Sequence, residues 1–163
     1  LVQLMGEEQA FDYLKKLHRN VTQYTRSGQA QAKSVSKGEV GIGVSFMFTF
    51  ENERLQGFSM VRTAAPCEGT SYEIGGIALV KGARNLENAK KFYDWALTPD
   101  AQKILAANKS FQLPSNKATP QPPESPRFNE IKLIDYDLKK YGSAAERKRL
   151  LARWEKDVYG LPK

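Results

Sequence analysis

Three side chains in this sequence are weighed first for chemistry: the single histidine His18, the single cysteine Cys67, and Glu73. A protein metal site needs several His, Cys or carboxylate ligands close together, and one histidine and one cysteine do not supply such a cluster. His18 falls among the charged residues of an amphipathic stretch, so it is expected at the surface. No histidine stands near Cys67 to draw off its proton, and it is read as a thiol without catalytic duty. Glu73 lies between Tyr72 and a Gly-Gly pair, in a loop of small residues where a carboxylate could accept hydrogen bonds from ligand hydroxyls. It could equally pair with a Lys or Arg and close a turn, and the sequence leaves both open. Ser27 and Gly28, ahead of a helical stretch, could offer a hydroxyl and N–H groups to an anion or simply cap that helix. Gly41-x-Gly43 is too short for a dinucleotide fingerprint, and there is no phosphate-cradling lysine loop. Ser45 and Ser71 lack the strand-turn-helix setting of a nucleophile. The expectation is a binder rather than an enzyme, with no cofactor and no metal.

Those loops must be held by regular elements. Residues 7–18 place Ala10, Phe11, Leu14 and Leu17 on one helical face. A second helix is expected over 29–37, closed by Gly38. Residues 40–46 then read as a buried strand, 48–56 as a helix ended by Gly57, 58–64 as a strand, and 77–80 as another. Asn85 is placed to cap a helix carrying Leu86, Ala89, Phe92, Tyr93 and Ala96 on one face. Thr98-Pro99-Asp100 is the start of the next: a capping hydroxyl, a proline whose missing N–H costs nothing, and an acid at the positive end. Residues 113–126 hold five of the eight prolines and support no regular element. Residues 131–134 could form a short strand. Ser143-x-x-Glu146 is a capping box, and the helix behind it should turn Leu150, Leu151, Trp154 and Val158 inward. Helices alternating with strands point to an α/β fold with a mainly parallel sheet, whose ligands sit beyond the carboxyl ends of the strands.

With 163 residues the chain can bury a real core. At 40% hydrophobic and 26% charged it is neither disordered nor fibrous. Its longest uncharged run, residues 40–50, is about half of the ~20 apolar residues a membrane span needs. The net charge of +7 raises a nucleic-acid reading, with the basic helix near residues 146–157 as its footprint. That helix mixes both signs in the manner of a solvated face, so the nucleic-acid or scaffold module stands as the alternative and not the main reading. No secretory leader opens the chain and Leu1 is not a start methionine, which reads as a processed product or a piece of a longer protein.

Four motifs carry a resemblance. They are Ser27-Gly28-Gln29-Ala30-x-Ala32; Lys37-Gly38-Glu39-Val40; Ala65-Pro66-Cys67-Glu68-Gly69-Thr70-Ser71-Tyr72-Glu73-Ile74-Gly75; and Phe92-Tyr93-Asp94-Trp95-Ala96-Leu97-Thr98-Pro99-Asp100-Ala101-Gln102 with Leu113-Pro114-Ser115-Asn116. Together they resemble the second half of the periplasmic solute-binding proteins of ABC importers, in the ferric-iron, phosphonate and sugar-phosphate branch of the type II binding-protein fold. The resemblance implies two α/β lobes joined by a hinge, with most of the first lobe absent. Residues 1–75 would belong to the second lobe, 76–124 would cross back to the first, and 125–163 would return as second-lobe helices. Gly75-Gly76 would be the crossing point. It further implies a periplasmic location, an importer permease as partner, and a small anionic solute: a sugar phosphate, a phosphonate or an iron complex. A homodimer, or exchange of residues 76–124 between chains, would cover the face left open. Where ferric-binding members carry adjacent tyrosines this chain reads Phe46-Met47-Phe48-Thr49, so no phenolate is available for iron. The ligand contacts carried over are Ser27, Gly28, Thr49, Thr70, Ser71 and Glu73.

Overall fold

The computed structural model describes residues 1–163. Its contacts gather into two units: Leu1–Arg26 with Gly69–Ser71 and Leu133–Lys163, and Ser27–Glu68 with Tyr72–Lys132.

The first unit is helical. α1 (Val2–Met5) leads through Gly6 into α2 (Glu7–His18), and Gly6 takes a φ of 80°, a value that favours glycine. Its other helices, α7 (Leu138–Tyr141) and α8 (Ala144–Trp154), lie near the end of the chain, and α8 continues as a π-helical turn, Glu155–Tyr159. The capping hydroxyl of Ser143 accepts from the Glu146 N–H at 3.2 Å, as the sequence pattern requires. Ala10, Phe11, His18 and Val158 form the buried centre of the unit.

His18 corrects the surface expectation. It is 1% exposed. Its Nε2 lies 3.0 Å from the Leu161 carbonyl oxygen and its Nδ1 3.0 Å from the Tyr24 hydroxyl. A carbonyl only accepts, so Nε2 carries a proton, and in the neutral ring Nδ1 is left to accept from the phenol. Tyr24 stacks on the imidazole at 5.7 Å and meets Trp154 edge-on at 5.2 Å. Burial raises the pKa of that tyrosine. Two bonds and an aromatic wall are what allow a polar ring to be buried at no large cost. The same helix end corrects a second expectation: Leu151 stays exposed while Val158, in the π-helical turn, is fully buried.

The second unit holds α3 (Ala30–Ser36), α4 (Met47–Leu55), α5 (Leu86–Ala96) and α6 (Pro99–Ala107). α3 and α4 pack through Ala32, Val35, Phe50 and Val61. Gly38, at φ 72°, closes α3 in the conformation the sequence anticipates there. Thr98 caps α6 by accepting from the Ala101 N–H at 3.3 Å, with Pro99 behind it. Asn85 precedes α5 but its side chain caps nothing, and no residue of α5 is buried. Gln102 of α6 donates to Ser115 Oγ at 3.0 Å and accepts from the Asn116 N–H at 2.9 Å. Asn116 in turn donates to the Leu97 carbonyl at 2.7 Å, so the Leu113-to-Asn116 motif is a clasp on α6 and the residue before its cap. The proline-rich stretch after it has no strand and no α-helix.

No strand ladder forms over 40–46, 58–64 or 77–80. The one pairing is a parallel bridge between Thr70 and Leu133 in the first unit. A strand exists only where a neighbour takes its N–H and C=O groups, and the only backbone bonds these three segments make are local turns such as Val61 N–H to the Phe58 carbonyl. No helix is long and apolar enough to cross a membrane.

Candidate functional site

The expected contact residues Ser27, Gly28 and Thr49 converge in the second unit, joined by Ser45. The Ser45 hydroxyl donates to the Gly28 carbonyl. Its oxygen lies 3.1 Å from Thr49 Oγ1, which donates to the Phe46 carbonyl at 2.6 Å. Each hydroxyl has one proton and each proton is on a carbonyl, so donation to an incoming anion requires a rotor to swing away. Phe46 closes over this knot: a Cβ added at Gly28 would sit 2.9 Å from its Cε2, so a larger residue there would push the ring aside. Phe46 also stacks on Phe48 at 5.9 Å. Ser27 Oγ accepts from the Gln29 N–H at 3.3 Å, a local turn that commits one of its lone pairs to the backbone. Ser45, set aside in the sequence as a nucleophile, is the link between the two loops. Its short polar side chain after a glycine-broken apolar run was the available signal.

Thr70 and Ser71 lie in the first unit. Thr70 is held by backbone pairing, its carbonyl accepting from the Ile134 N–H at 2.9 Å, and its hydroxyl donates to the Ser71 carbonyl at 3.3 Å. Ser71 is exposed. Glu73, in the second unit, is exposed, and its carboxylate takes no ion pair. Cys67 is a free, exposed thiol 3.3 Å from Glu68 Oε2. The Glu68 carboxyl is held below the usual carboxylate range, first by its own backbone N–H and then by that thiol.

A second feature of the same unit escaped the sequence reading. An open cleft of about 520 Å³ is lined by Glu51, Arg54, Ser59, Val61, Arg62 and Thr63. Glu51 pairs with Arg54 at 2.8 Å and neutralises it. The Arg62 guanidinium donates only to backbone, to the Ser59 and Val61 carbonyls, and no carboxylate compensates its charge. A planar, always-ionised donor fork of this kind suits a phosphate or carboxylate. Nowhere do three His, Cys, Asp or Glu side chains converge to hold a metal ion.

Two cations of the basic C-terminal helix, Arg149 and Arg153, are committed to carboxylates. Arg149 pairs with Glu7 at 2.6 Å and with Glu146 at 2.8 Å. Arg153 pairs with Glu7, Glu8 and Asp157. Hydrogen bonds from Arg149, then Arg153, lower the Glu7 carboxyl to about 2, and both arginines are pushed up in turn. Guanidiniums committed to carboxylates are not free to track phosphates.

Residues 3–132 match the family model of a bacterial extracellular solute-binding protein. An uncharacterised protein of Haemophilus influenzae is 44% identical over 158 residues, which is 96% of this chain and 45% of that protein. Among solved structures, the periplasmic binding protein AfuA from Actinobacillus pleuropneumoniae, with exogenous fructose-6-phosphate bound, is 42% identical at a TM-score of 0.91. That match covers 98% of this chain and 50% of AfuA. The periplasmic binding protein P5PA is 36% identical at a TM-score of 0.87, over 96% of this chain and 50% of that one. The chain therefore spans about half the length of the proteins it matches.

Proposed function

This chain belongs to the bacterial extracellular solute-binding protein family, and we propose that it contributes to the capture of a small anionic solute, of the sugar-phosphate class, for an ABC importer in the periplasm. The observation that carries this reading is its likeness to AfuA, whose structure holds fructose-6-phosphate, across 98% of the chain. The chemistry of the second unit agrees with it. Arg62 supplies an uncompensated cation, and Ser45 and Thr49 supply hydroxyls that can be redirected. Charge-assisted bonds to phosphate oxygens are about twice as strong as neutral ones, so the anion end would dominate affinity. Glu73 can only accept when ionised, which suits sugar hydroxyls and repels a bare phosphate. Ser27 and Gly28 would offer backbone donors, and Thr70 and Ser71 are the remaining proposed contacts. Phe46 and Phe48 give no phenolate, which favours a sugar phosphate over iron held by tyrosinate.

On this reading residues 1–75 and 125–163 form the second lobe and 76–124 belong to the first, with Gly75-Gly76 as the hinge. A partner permease would read the closed, loaded form. Calorimetry on the chain, alone and joined to the remaining half of its relatives' length, tests the proposal. In the completed protein fructose-6-phosphate should bind at least tenfold more tightly than fructose or inorganic phosphate. Equal binding of fructose and its phosphate, or preference for ferric citrate, overturns it.

A further inference from the structure

Residues 138–156 carry seven lysines and arginines against two carboxylates, Glu146 and Glu155. Arg149 and Arg153, four residues apart, share the side of α8 that is tied to Glu7 and Glu8 of α2. The opposite side is different. Leu151 follows Arg147 by four residues and Lys148 by three, so the three stand together on one helical face. All three are exposed, Leu151 by 43%. α7 packs against α8 within the same unit and adds Lys139 and Lys140, next to Leu138, which is 58% exposed. Lys140 Nζ stands 5.0 Å from the centre of the Tyr141 ring. Lys156 follows, exposed, in the π-helical turn. Lys139, Lys140, Arg147, Lys148 and Lys156 thus have no carboxylate partner, whereas Arg149 and Arg153 have several. The one unpaired acid of the stretch is Glu155, four residues past Leu151.

We propose that α7 and the outer face of α8 form a docking surface for an anionic phospholipid bilayer, with α8 lying in the plane of the headgroups. Charge complementarity carries the choice of partner, and the two leucines refine it. Duplex phosphates would engage the cations but have no use for a leucine set among them. A bilayer surface takes both: headgroup phosphates accept from the ammonium and guanidinium groups, and the leucines and the lysine stems enter the boundary of the acyl region. Two leucines reach only a short way in, so the attraction is mainly electrostatic and reversible. Each cation at such a surface raises the partition about fivefold, and salt screens it. The inner face of α8 keeps its bonds to α2, so docking needs no unfolding. The inference stands on α7 and α8 alone and is independent of the solute.

The test is flotation of the chain with vesicles of phosphatidylcholine alone and of phosphatidylcholine with about a quarter phosphatidylglycerol. The chain should float with the anionic vesicles, stay behind with the neutral ones, and be released as salt rises. Arg147→Gln combined with Lys148→Gln should lower the partition at least tenfold with the helical signal in circular dichroism unchanged. Leu151→Ser should weaken it as well, which a purely ionic partner would not notice, and Glu155→Gln should strengthen it. Lys33→Gln combined with Lys37→Gln removes the same charge from exposed positions of the second unit and should change the partition far less. Equal binding to neutral vesicles, no binding to either, or an equal loss in the second-unit pair overturns the proposal. Tighter binding to duplex DNA than to anionic vesicles at the same salt overturns it too, and assigns the face to nucleic acid.

Discussion

His18 holds together three pieces of chain: α2, the loop at Tyr24 and the backbone at Leu161. Removing the ring leaves a cavity where His18 was buried and takes a partner from the half-exposed Tyr24 phenol and the Leu161 carbonyl at once, each lost bond costing about 0.5–1.5 kcal/mol. His18→Ala should therefore lower the unfolding free energy by about 3 kcal/mol, and Tyr24→Phe by about 1 kcal/mol, as read from urea midpoints at constant slope. The sequence hid this because a histidine among charged neighbours reads as polar, and its partners lie 6 and 143 residues away. Glu7 makes a pH prediction of definite sign. Its carboxyl titrates at about 2 folded against 4.5 ordinarily, so the folded state binds fewer protons across that interval. The stabilisation is present above the ordinary carboxylate range and is lost as the pH falls towards the folded value. The urea midpoint of the native chain should fall more steeply over that range than that of Glu7→Gln, with Glu8 and Glu146, lowered in the same direction, adding to the slope. Parallel curves for the two proteins would show that Glu7 contributes nothing.

At the scale of elements, the caps are the parts with the clearest energetic consequence. Ser143→Ala removes the acceptor for the Glu146 N–H and should destabilise α8 by about 1 kcal/mol. Thr98→Ala should do the same to α6. Gly43→Ala should cost about 1–3 kcal/mol, because a backbone carbonyl and a branched side chain both stand in the way of the new methyl. Denaturant melts of the three variants check these values. α2, α6 and α8 were legible from hydrophobic period and capping residues, since those are local properties that few distant contacts can override. α1 and α7 were not, because four-residue helices carry too little pattern. The Asn85 cap failed because the side chain of a residue at φ −118° and ψ 56° caps nothing here. The three segments read as strands form no ladder, and Ser59–Met60 make a turn instead; ladders depend on which neighbours lie beside a segment, and no stretch of sequence states that.

For the molecule as a whole, the solute reading makes Arg62 the residue whose loss matters most. In the completed protein Arg62→Gln should weaken fructose-6-phosphate at least tenfold and leave fructose unchanged, whereas Glu73→Ala should weaken both, as titration calorimetry would resolve. Loss of fructose binding in Arg62→Gln would assign that side chain to the scaffold and not to the phosphate. Of the proposed contacts, Ser27, Gly28 and Thr49 come from motif likeness. Ser45 and Arg62 were not, because their importance comes from which carbonyl or carboxylate stands near them. Cys67 has a practical consequence of another kind. It is the chain's single thiol, it faces solvent, and it sits six residues before Glu73 in the loop that the solute reading invokes. A maleimide dye would attach there and nowhere else, so a fluorescence change on adding solute could be followed in real time with no residue altered to make room for the reporter.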